Sequence, residues 1–467
     1  MKPFLPGFGL SLVCLLLGGT SAGVQAEEKS PVKLTIHAAA EPKPALKHQL
    51  LPGFAERIDG NAAVYYGKVT AEQMSFFSDR ELADKIEKWR VAPLEDLRKD
   101  DVNLKLGTIA YYLDRAARCK YCDWQLPFRD EPFFEILLPD LQQTRQFARI
   151  LSAKARIHIA RGEYDQAVKT LQSGMAISQH VTAGETIING LVGIAIAGIM
   201  CEQVTELVQR PDAPNLYWAL TSLPRPLVDL RKGIEAEMSA VTLSYPDLKG
   251  VGEAEHSPEE WRRILLKFWG QFTRVMGDGG NAVQGPEVLV ALSLRGYPMA
   301  KEDLVARGLP REKVEAMPVA QVVLLHTMQA YEELRDDIFK WYYVPYADGA
   351  AGIAEAQKRV DSQTGAWRET IPLASMLLPA VGNVRSSVVK LDRQIAVLRL
   401  IEALRIHGAL HGGQLPGSLN DITAVPVPLD PATEEPFVYS LQNNTARLQG
   451  PELRGAALNY EITMVQK

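Results

Sequence analysis

Residues 186–201 are the part of this sequence that most constrains its fold. They include three glycines and no charged side chain, and Glu185 and Glu202 flank them. A glycine inside a helix costs roughly 1 kcal/mol relative to alanine, so we expect neighbouring helices to approach closely there and to offset that cost. A membrane-spanning helix needs about 20 apolar residues, which makes membrane insertion the weaker alternative. We therefore predict that this stretch is the central buried helix of a helical domain.

The preceding residues predict an antiparallel helical hairpin. Polar side chains recur every three to four residues over 141–160, and apolar side chains do so after the turn at Gly162. The turn resembles that of a tetratricopeptide repeat, whose small, turn and large positions are filled by Ala155, Gly162, Tyr164, Ala167, Leu171 and Gly174. Lys154 and Gln179 depart from the motif, and no second copy follows at a period of about 34 residues. We interpret 141–210 as the packed centre of one helical domain.

The first 26 residues have the pattern of a secretory signal peptide. Lys2 supplies a positive charge, a short apolar core follows over residues 9–18, and Val24-Gln25-Ala26 fits a cleavage site. We therefore predict cleavage after Ala26 and export to the periplasm or the extracellular space. No later stretch reaches about 18 uninterrupted apolar residues, so we expect no transmembrane segment after cleavage.

The composition is that of a globular protein and argues against one class of partner. Of the 467 residues, 46% are hydrophobic and 23% are charged, which are ordinary globular values. The 51 basic and 56 acidic side chains give a net charge of −5 without a basic block. Nucleic-acid binding is therefore not supported. We expect an envelope protein or a glycan as the partner, and no cofactor.

The patterning predicts a mainly α protein with a small C-terminal α+β cap. After the signal peptide, a proline-rich tail or linker covers residues 27–60. An irregular multi-helix domain follows over 61–383, with separate helices near 284–294 and 299–307. The last part, 384–467, combines a long helix with short antiparallel strands. These strands are predicted near 437–441, 446–449 and 458–465, with a hairpin turn at Asn443-Asn444.

Several segments resemble a group of exported planctomycete proteins of unknown function. They are Cys122-Asp-Trp124, 214–226, Gly296-Tyr-Pro298, 317–321, Asp337-Ile-Phe-Lys-Trp341 and the region from Leu391 to Asp421. Because these segments are spread over most of the chain, the resemblance implies export and a shared architecture. It implies no chemistry.

A narrower resemblance, over roughly residues 385–440, is to the globular end of type II secretion pseudopilins. It consists of a long helix followed by Gly413-Gln-Leu-Pro-Gly-Ser-Leu419, Pro428-Leu-Asp-Pro431 and Pro436-Phe-Val-Tyr439. The resemblance implies a shared small fold, and this loop binds calcium in some pseudopilins. A pseudopilin carries its membrane helix at the N-terminus, whereas most of this chain precedes the helix, and Glu434-Glu435 replace an expected glycine. We expect the shared fold without pilus assembly or calcium.

Cys119 and Cys122 have the spacing of a redox pair, in which a thiolate at a helix N-terminus is activated. Here the pair follows a predicted helix, and Asp123 stands where haem attachment needs a histidine. The same two cysteines are half of a four-cysteine zinc site. We predict a structural disulfide or two unreactive thiols, with redox chemistry and metal binding as weaker alternatives.

His407 and His411 are the metal candidates, because residues four apart share one face of a helix. Glycines at positions 408, 412 and 413 indicate that the helix frays at this point. We therefore favour a helix-end pair near the C-terminal dipole over a metal site.

Four carboxylates near 332–337 are the catalytic candidates. They are Glu332, Glu333, Asp336 and Asp337, which form two pairs at a spacing of four residues. Paired carboxylates perform glycoside hydrolysis, although neighbours on one helix are more often a solvated face. The aromatic residues that follow are suited to stacking on a sugar or to core packing: Trp341, Tyr342 and Tyr343.

The motifs of several other chemistries are missing from the sequence. There is no Gly-x-Ser-x-Gly motif and no P-loop, and Ala282 replaces the third glycine of a dinucleotide-binding loop. We therefore predict an exported non-enzymatic scaffold or binding protein of the cell envelope. The alternative is a hydrolase of envelope material or polysaccharide that uses the carboxylates near 332–337.

Overall fold

The computed structural model describes residues 30–276, 285–363, 369–378, 381–453 and 456–465. The predicted signal peptide and the loop that contains Ala282 lie outside these residues. The protein is mainly α with a small sheet near its C-terminus, as predicted. The described residues divide into two compact units: the sheet unit (30–125, 139–233 and 386–465) and the cavity unit (126–138 and 234–385).

The sheet unit contains a run of helices and two short strands in its first two segments. The strands β2 (Ile58–Asn61) and β3 (Cys119–Tyr121) pair in parallel. The helices are α1 (Ala62–Glu72), α2 (Met74–Ser78), α3 (Arg80–Val91), α4 (Thr108–Ala117), α5 (Pro139–Arg161), α6 (Tyr164–Thr182), α7 (Ile187–Leu207) and α8 (Tyr217–Thr221). Most of α16 (Val381–Leu410), the last α-helix among the described residues, also belongs to this unit.

The helices α5 and α6 form the predicted hairpin, and α7 packs against both. The turn between α5 and α6 contains Gly162, whose φ of +74° lies in the region that favours glycine. Glycines also permit the contact between α6 and α7. A Cβ atom on Gly193 would lie 2.7 Å from the carbonyl O of Ser178, and one on Gly174 would lie 2.1 Å from the Sδ of Met200. Close helix approach therefore accounts for these glycines.

The helix α7 is long and apolar enough to cross a membrane, and no other helix in the described ranges is. Its most apolar window is 61% buried within the protein, and Val192, Ile196 and Met200 are almost completely inaccessible. This burial is typical of the core helix of a globular unit.

The sheet joins the two ends of the described chain. Its strands are β1 (Val32–His37), β4 (Val438–Gln442), β5 (Thr445–Leu453) and β6 (Ala456–Val465), in the order β1-β6-β5-β4. The last three are antiparallel, and Asn443-Asn444 joins β4 to β5 with positive φ at both residues, as expected for a tight turn. The strand β1 lies in the segment predicted as a tail or linker, yet it pairs in parallel with β6. Burial of Leu34 and Ile36 stabilises it there.

A fully buried ion pair on α16 holds separate segments of the sheet unit together. Arg405 and Glu402 are both 0% exposed, and Arg405 Nη1 lies 2.8 Å from Glu402 Oε2. Arg405 also donates to the carbonyl O of His37 at 2.9 Å and of Ala213 at 2.8 Å. Glu402 Oε1 accepts the backbone N–H of Leu216 at 2.9 Å. The pair thus holds the end of β1 and the loop before α8 against α16.

The cavity unit is built around one central helix. Its helices are α9 (Arg231–Ser244), most of which belongs to this unit, α10 (Pro258–Met276), α11 (Pro286–Ala306), α12 (Arg311–Ala316), α13 (Val319–Phe339), α14 (Tyr346–Gln363) and α15 (Leu373–Leu377). The helix α13 packs against α10, α11, α14 and α15.

The prediction of separate helices near 284–294 and 299–307 is wrong. The helix α11 continues through Pro298. A proline inside a helix removes one backbone hydrogen bond, and here that loss does not divide the helix. Gly296 and Asp303 are therefore carried by one continuous helix.

Removing one partner of the buried pair is expected to lower the free energy of unfolding by about 3–5 kcal/mol, because the other charge then stays buried without a counterion. We expect this loss in both R405M and E402Q, measured by urea unfolding. The matched control is R447M, which breaks the more exposed Arg447–Glu461 pair and should cost less than about 1 kcal/mol. An R405M variant as stable as R447M would contradict the importance of the buried pair.

Candidate functional site

The cavity unit contains a cavity of about 510 Å³. It is lined by α11 and Arg307, by α13, by Gln363 at the end of α14, and by α15 with the residues just before it. This volume is within the range of small-molecule sites. Its apolar lining residues include Met299, Ala330, Leu334 and Ile371. Its polar lining residues include Asp303, Arg307, His326, Tyr331, Glu333, Glu369 and Thr370.

His326 links two polar side chains at the wall of this cavity. It lies on α13 and is only 4% exposed. Its Nε2 lies 3.1 Å from Oδ2 of Asp303, and its Nδ1 lies 3.0 Å from Oγ1 of Thr370. A carboxylate, an imidazole and a hydroxyl are thus joined in series.

The direction of these hydrogen bonds follows from the protonation of the imidazole. Burial lowers the pKa of His326, and the positive charge of Arg307 lowers it further, while Asp303 acts in the opposite direction. The ring is therefore neutral near pH 7 and carries one N–H. A carboxylate only accepts, so that N–H is on Nε2 and donates to Asp303. The Nδ1 lone pair then accepts the hydroxyl proton of Thr370.

Arg307 places a positive charge beside this series. It caps the C-terminal end of α11, and its Nε donates to Oδ2 of Asp303 at 2.8 Å. Its Nη1 donates to the carboxylate of Glu333 on α13. One guanidinium therefore bridges two carboxylates that line the cavity from different helices.

Two contacts fix the position of Thr370. Glu369 accepts the backbone N–H groups of Ala374 at 2.9 Å and Ser375 at 3.1 Å, which holds the segment against the start of α15. On the other side, Gly296 of α11 admits Thr370, because a Cβ atom on Gly296 would lie 2.9–3.1 Å from three Thr370 atoms. The hydroxyl reaches His326 because this approach is so close.

The four predicted carboxylates do not form one group. Glu333 lines the cavity, whereas the other three do not. Asp336 is 57% exposed and bonds to Arg335 at 2.8 Å. Asp337 is paired with Lys340 at 2.6 Å and with Arg359. Salt bridges on the surfaces of α13 and α14 therefore account for the positions of Asp336 and Asp337.

The three predicted aromatic residues also have different environments. Tyr342 is 4% exposed and Tyr343 is 54% exposed. The indole of Trp341 packs on Gly352 so closely that a Cβ atom there would lie 2.2 Å from the ring. They therefore do not present one continuous stacking surface.

His407 and His411 stack on each other with ring centroids 4.0 Å apart and an interplanar angle of 17°. The Nδ1 of His411 lies 2.9 Å from the carbonyl O of His407. Burial lowers the pKa of His407, and His411 lowers it further. Among the residues that the structure describes, no cluster of three His, Cys, Asp or Glu side chains is placed to hold a metal ion.

Cys119 and Cys122 are free, buried thiols at and next to β3. Burial raises the pKa of both thiols, which is opposite to the activation that redox chemistry needs. Neither has the environment of a reactive cysteine.

Next to these cysteines, His180 is held in a partly buried aromatic group. The hydroxyl of Tyr66 lies 2.8 Å from His180 Nδ1, and Tyr66 stacks on Trp124. The indole N–H of Trp124 donates to the carbonyl O of His180 at 2.7 Å. Burial lowers the pKa of His180 to about 4, against a small opposing effect from its hydrogen bond to the backbone of Cys119.

The residues of the cavity series were not predicted from the sequence. Asp303, His326 and Thr370 lie on three separate elements, and their spacing in the chain matches no known motif. One signal was available: Gly296 and Pro298 belong to a segment on which the predicted resemblance to exported proteins is based. That segment identifies α11, but it does not indicate which residues α11 contacts.

The low pKa of His180 predicts a loss of stability in mild acid. The unfolded chain takes up this proton near pH 6.5, whereas the folded protein does so only near pH 4. Stability should therefore fall as the pH drops through this interval, by about 3 kcal/mol from this group. Urea unfolding between pH 7 and pH 4 should show a smaller pH dependence in H180Q than in wild type.

The neighbouring Gln179 provides the matched control, because its amide does not titrate and Q179A should keep the pH dependence of the wild-type protein. Equal pH dependence in H180Q and wild type would show that His180 is not the group responsible.

Comparison with known proteins does not assign a function to these residues. No protein family, curated protein or solved structure matches the chain. The resemblances to exported planctomycete proteins and to pseudopilins therefore stay predictions. A function can be proposed from the cavity and the residues around it.

Proposed function

We propose that the protein is a binding protein for a small, neutral, hydroxyl-bearing ligand such as a mono- or disaccharide. The observation that carries this proposal is the cavity of about 510 Å³, whose wall combines apolar and hydrogen-bonding side chains. Sites of this kind bury the apolar surface of a ligand, while a few polar groups fix its orientation. A sugar also agrees with the glycan partner expected from the sequence.

The charges at the cavity wall favour a neutral ligand over an anion. Asp303, Glu333 and Glu369 contribute three carboxylates, against the single guanidinium of Arg307. His326 adds no charge near pH 7, because burial lowers its pKa. An anion entering the cavity would meet net repulsion. Hydroxyl groups, in contrast, donate hydrogen bonds to carboxylates and accept them from a guanidinium.

The proposal includes export of the protein. Cleavage after Ala26, which the N-terminal pattern predicts, would place the cavity where envelope and extracellular glycans occur. A hydrolase that uses all four carboxylates near 332–337 is supported less well, because Glu333 is the one of the four that lines the cavity.

Filling the cavity is expected to weaken ligand binding without unfolding the protein. Ala330 lines the cavity from α13, so the phenyl ring of A330F would occupy part of the ligand volume. Calorimetric titration of the wild-type protein with a panel of neutral mono- and disaccharides should identify a ligand. We expect A330F to bind that ligand at least tenfold more weakly, which corresponds to a loss of about 1.4 kcal/mol.

A matched control separates this effect from the added hydrophobic surface. Ala351 is an exposed residue of α14 that does not line the cavity, so A351F should bind like wild type. Phosphorylated and uronic-acid forms of the same sugars should bind more weakly than the neutral forms. If no neutral sugar in the panel binds to the wild-type protein, the proposal is wrong.

A further inference from the structure

The series of Asp303, His326 and Thr370 has the connectivity of a nucleophilic catalytic site. A carboxylate accepts the N–H of an imidazole, whose other nitrogen lies 3.0 Å from a hydroxyl. The same roles recur on unrelated folds, where they convert a hydroxyl into a nucleophile. We propose that Thr370 is a nucleophile that accepts an acyl group from a small ester bound in the cavity. This goes beyond the proposed binding function and does not depend on which ligand binds.

The location of Thr370 supports this assignment. Thr370 has an exposed fraction of only 1%, and it lines the cavity together with His326 and Asp303. A substrate in the cavity would therefore lie beside the hydrogen-bonded pair of His326 and Thr370. Arg307 also lines the cavity, and its Nε donates to Asp303 Oδ2, which holds this carboxylate beside Nε2 of His326.

The reaction balances with an ester and water alone. Oγ1 of Thr370 forms a bond to the ester carbonyl carbon as its proton passes to Nδ1 of His326. The bond from that carbon to the alcohol oxygen then breaks, and the alcohol leaves with the proton from Nδ1. Water next gives a proton to Nδ1 and attacks the acyl carbon, and the Thr370 oxygen leaves and recovers that proton. The products are a carboxylic acid and an alcohol.

The carboxylate decides whether the hydroxyl can transfer its proton. Asp303 accepts the Nε2 hydrogen, and this leaves the Nδ1 lone pair free to receive the proton of Thr370. Asparagine at this position can turn its N–H₂ group toward Nε2. The imidazole hydrogen would then lie on Nδ1 and donate to Thr370, so the ring could no longer act as the base. A purely structural hydrogen-bond chain would tolerate this reversal.

The test is covalent labelling of the full-length protein with diisopropyl fluorophosphate, followed by intact-mass measurement and peptide mapping. The Thr370 oxygen should displace fluoride from phosphorus, adding one phosphoryl group at this residue. We expect no labelling of Thr370→Val, and labelling at position 370 in Thr370→Ser, which keeps the hydroxyl. Labelling of Asp303→Asn should be at least about 100-fold slower than that of wild type.

A matched control shows whether removal of a threonine hydroxyl affects labelling through an effect on folding. Thr273 is a partly buried threonine of α10 that bonds to the carbonyl O of Trp269 at 2.8 Å and does not line the cavity. Thr273→Val should be labelled at the wild-type rate. All variants should show the circular dichroism and melting temperature of folded protein. If a variant does not fold, the rates at which wild type and Thr370→Ser hydrolyse p-nitrophenyl acetate are compared instead.

Two results would overturn the inference. One is a folded wild-type protein that acquires no label at Thr370, and the other is equal labelling rates in wild type and Asp303→Asn. Neither result bears on ligand binding, which is measured with unlabelled protein and the neutral sugars. A wild-type protein that binds a sugar but takes no label would keep the binding function and lose only the nucleophile.

Discussion

The sheet unit depends on an ion pair that is completely removed from water. Transfer of Arg405 and Glu402 to the interior costs several kcal/mol for each charge, and their mutual attraction offsets this only if other hydrogen bonds complete the site. Backbone groups at His37, Ala213 and Leu216 supply those bonds. The site is therefore complete only when three segments are in place together. These segments are α16, the end of β1 and the loop that precedes α8.

This dependence explains which parts of the fold could be predicted from the sequence. The helices α5, α6 and α7 have local signals: an apolar period, a glycine at the turn, and a stretch without charge. The turn at Asn443-Asn444 is also local, since asparagine tolerates positive φ. The strand β1 has no such signal, because it gains its stability from β6 at the other end of the chain. Its partner could not be read from neighbouring residues.

The candidate site was predictable to a smaller extent. The four predicted carboxylates lie on α13, which is one wall of the cavity, and Glu333 lines it. The spacing of four residues, however, describes a surface of that helix and not the face that meets α11. Thr370 reaches His326 because Gly296 leaves room for it, and a contact between residues so far apart in the chain has no pattern in the sequence. The series of Asp303, His326 and Thr370 could therefore not be predicted from the sequence, because only the tertiary fold brings these residues together.

The partly buried His180 and the buried His326 differ in the group that faces the second ring nitrogen. His180 accepts the hydroxyl hydrogen bond of Tyr66 at Nδ1, and its opposite side meets the backbone of Cys119. His326 receives the hydroxyl of Thr370 in the same way, but its opposite nitrogen faces the carboxylate of Asp303. A carbonyl dipole gives little stabilisation to an imidazolium, whereas a carboxylate gives much more.

Proton uptake at His180 therefore destabilises the fold, and this residue acts as a neutral packing element. At His326 the charge produced by proton transfer has a counterion already in place. The two histidines thus differ in one group, the carboxylate of Asp303. Because His326 has this counterion and His180 does not, the hydroxyl beside His326 is the one that can become a nucleophile.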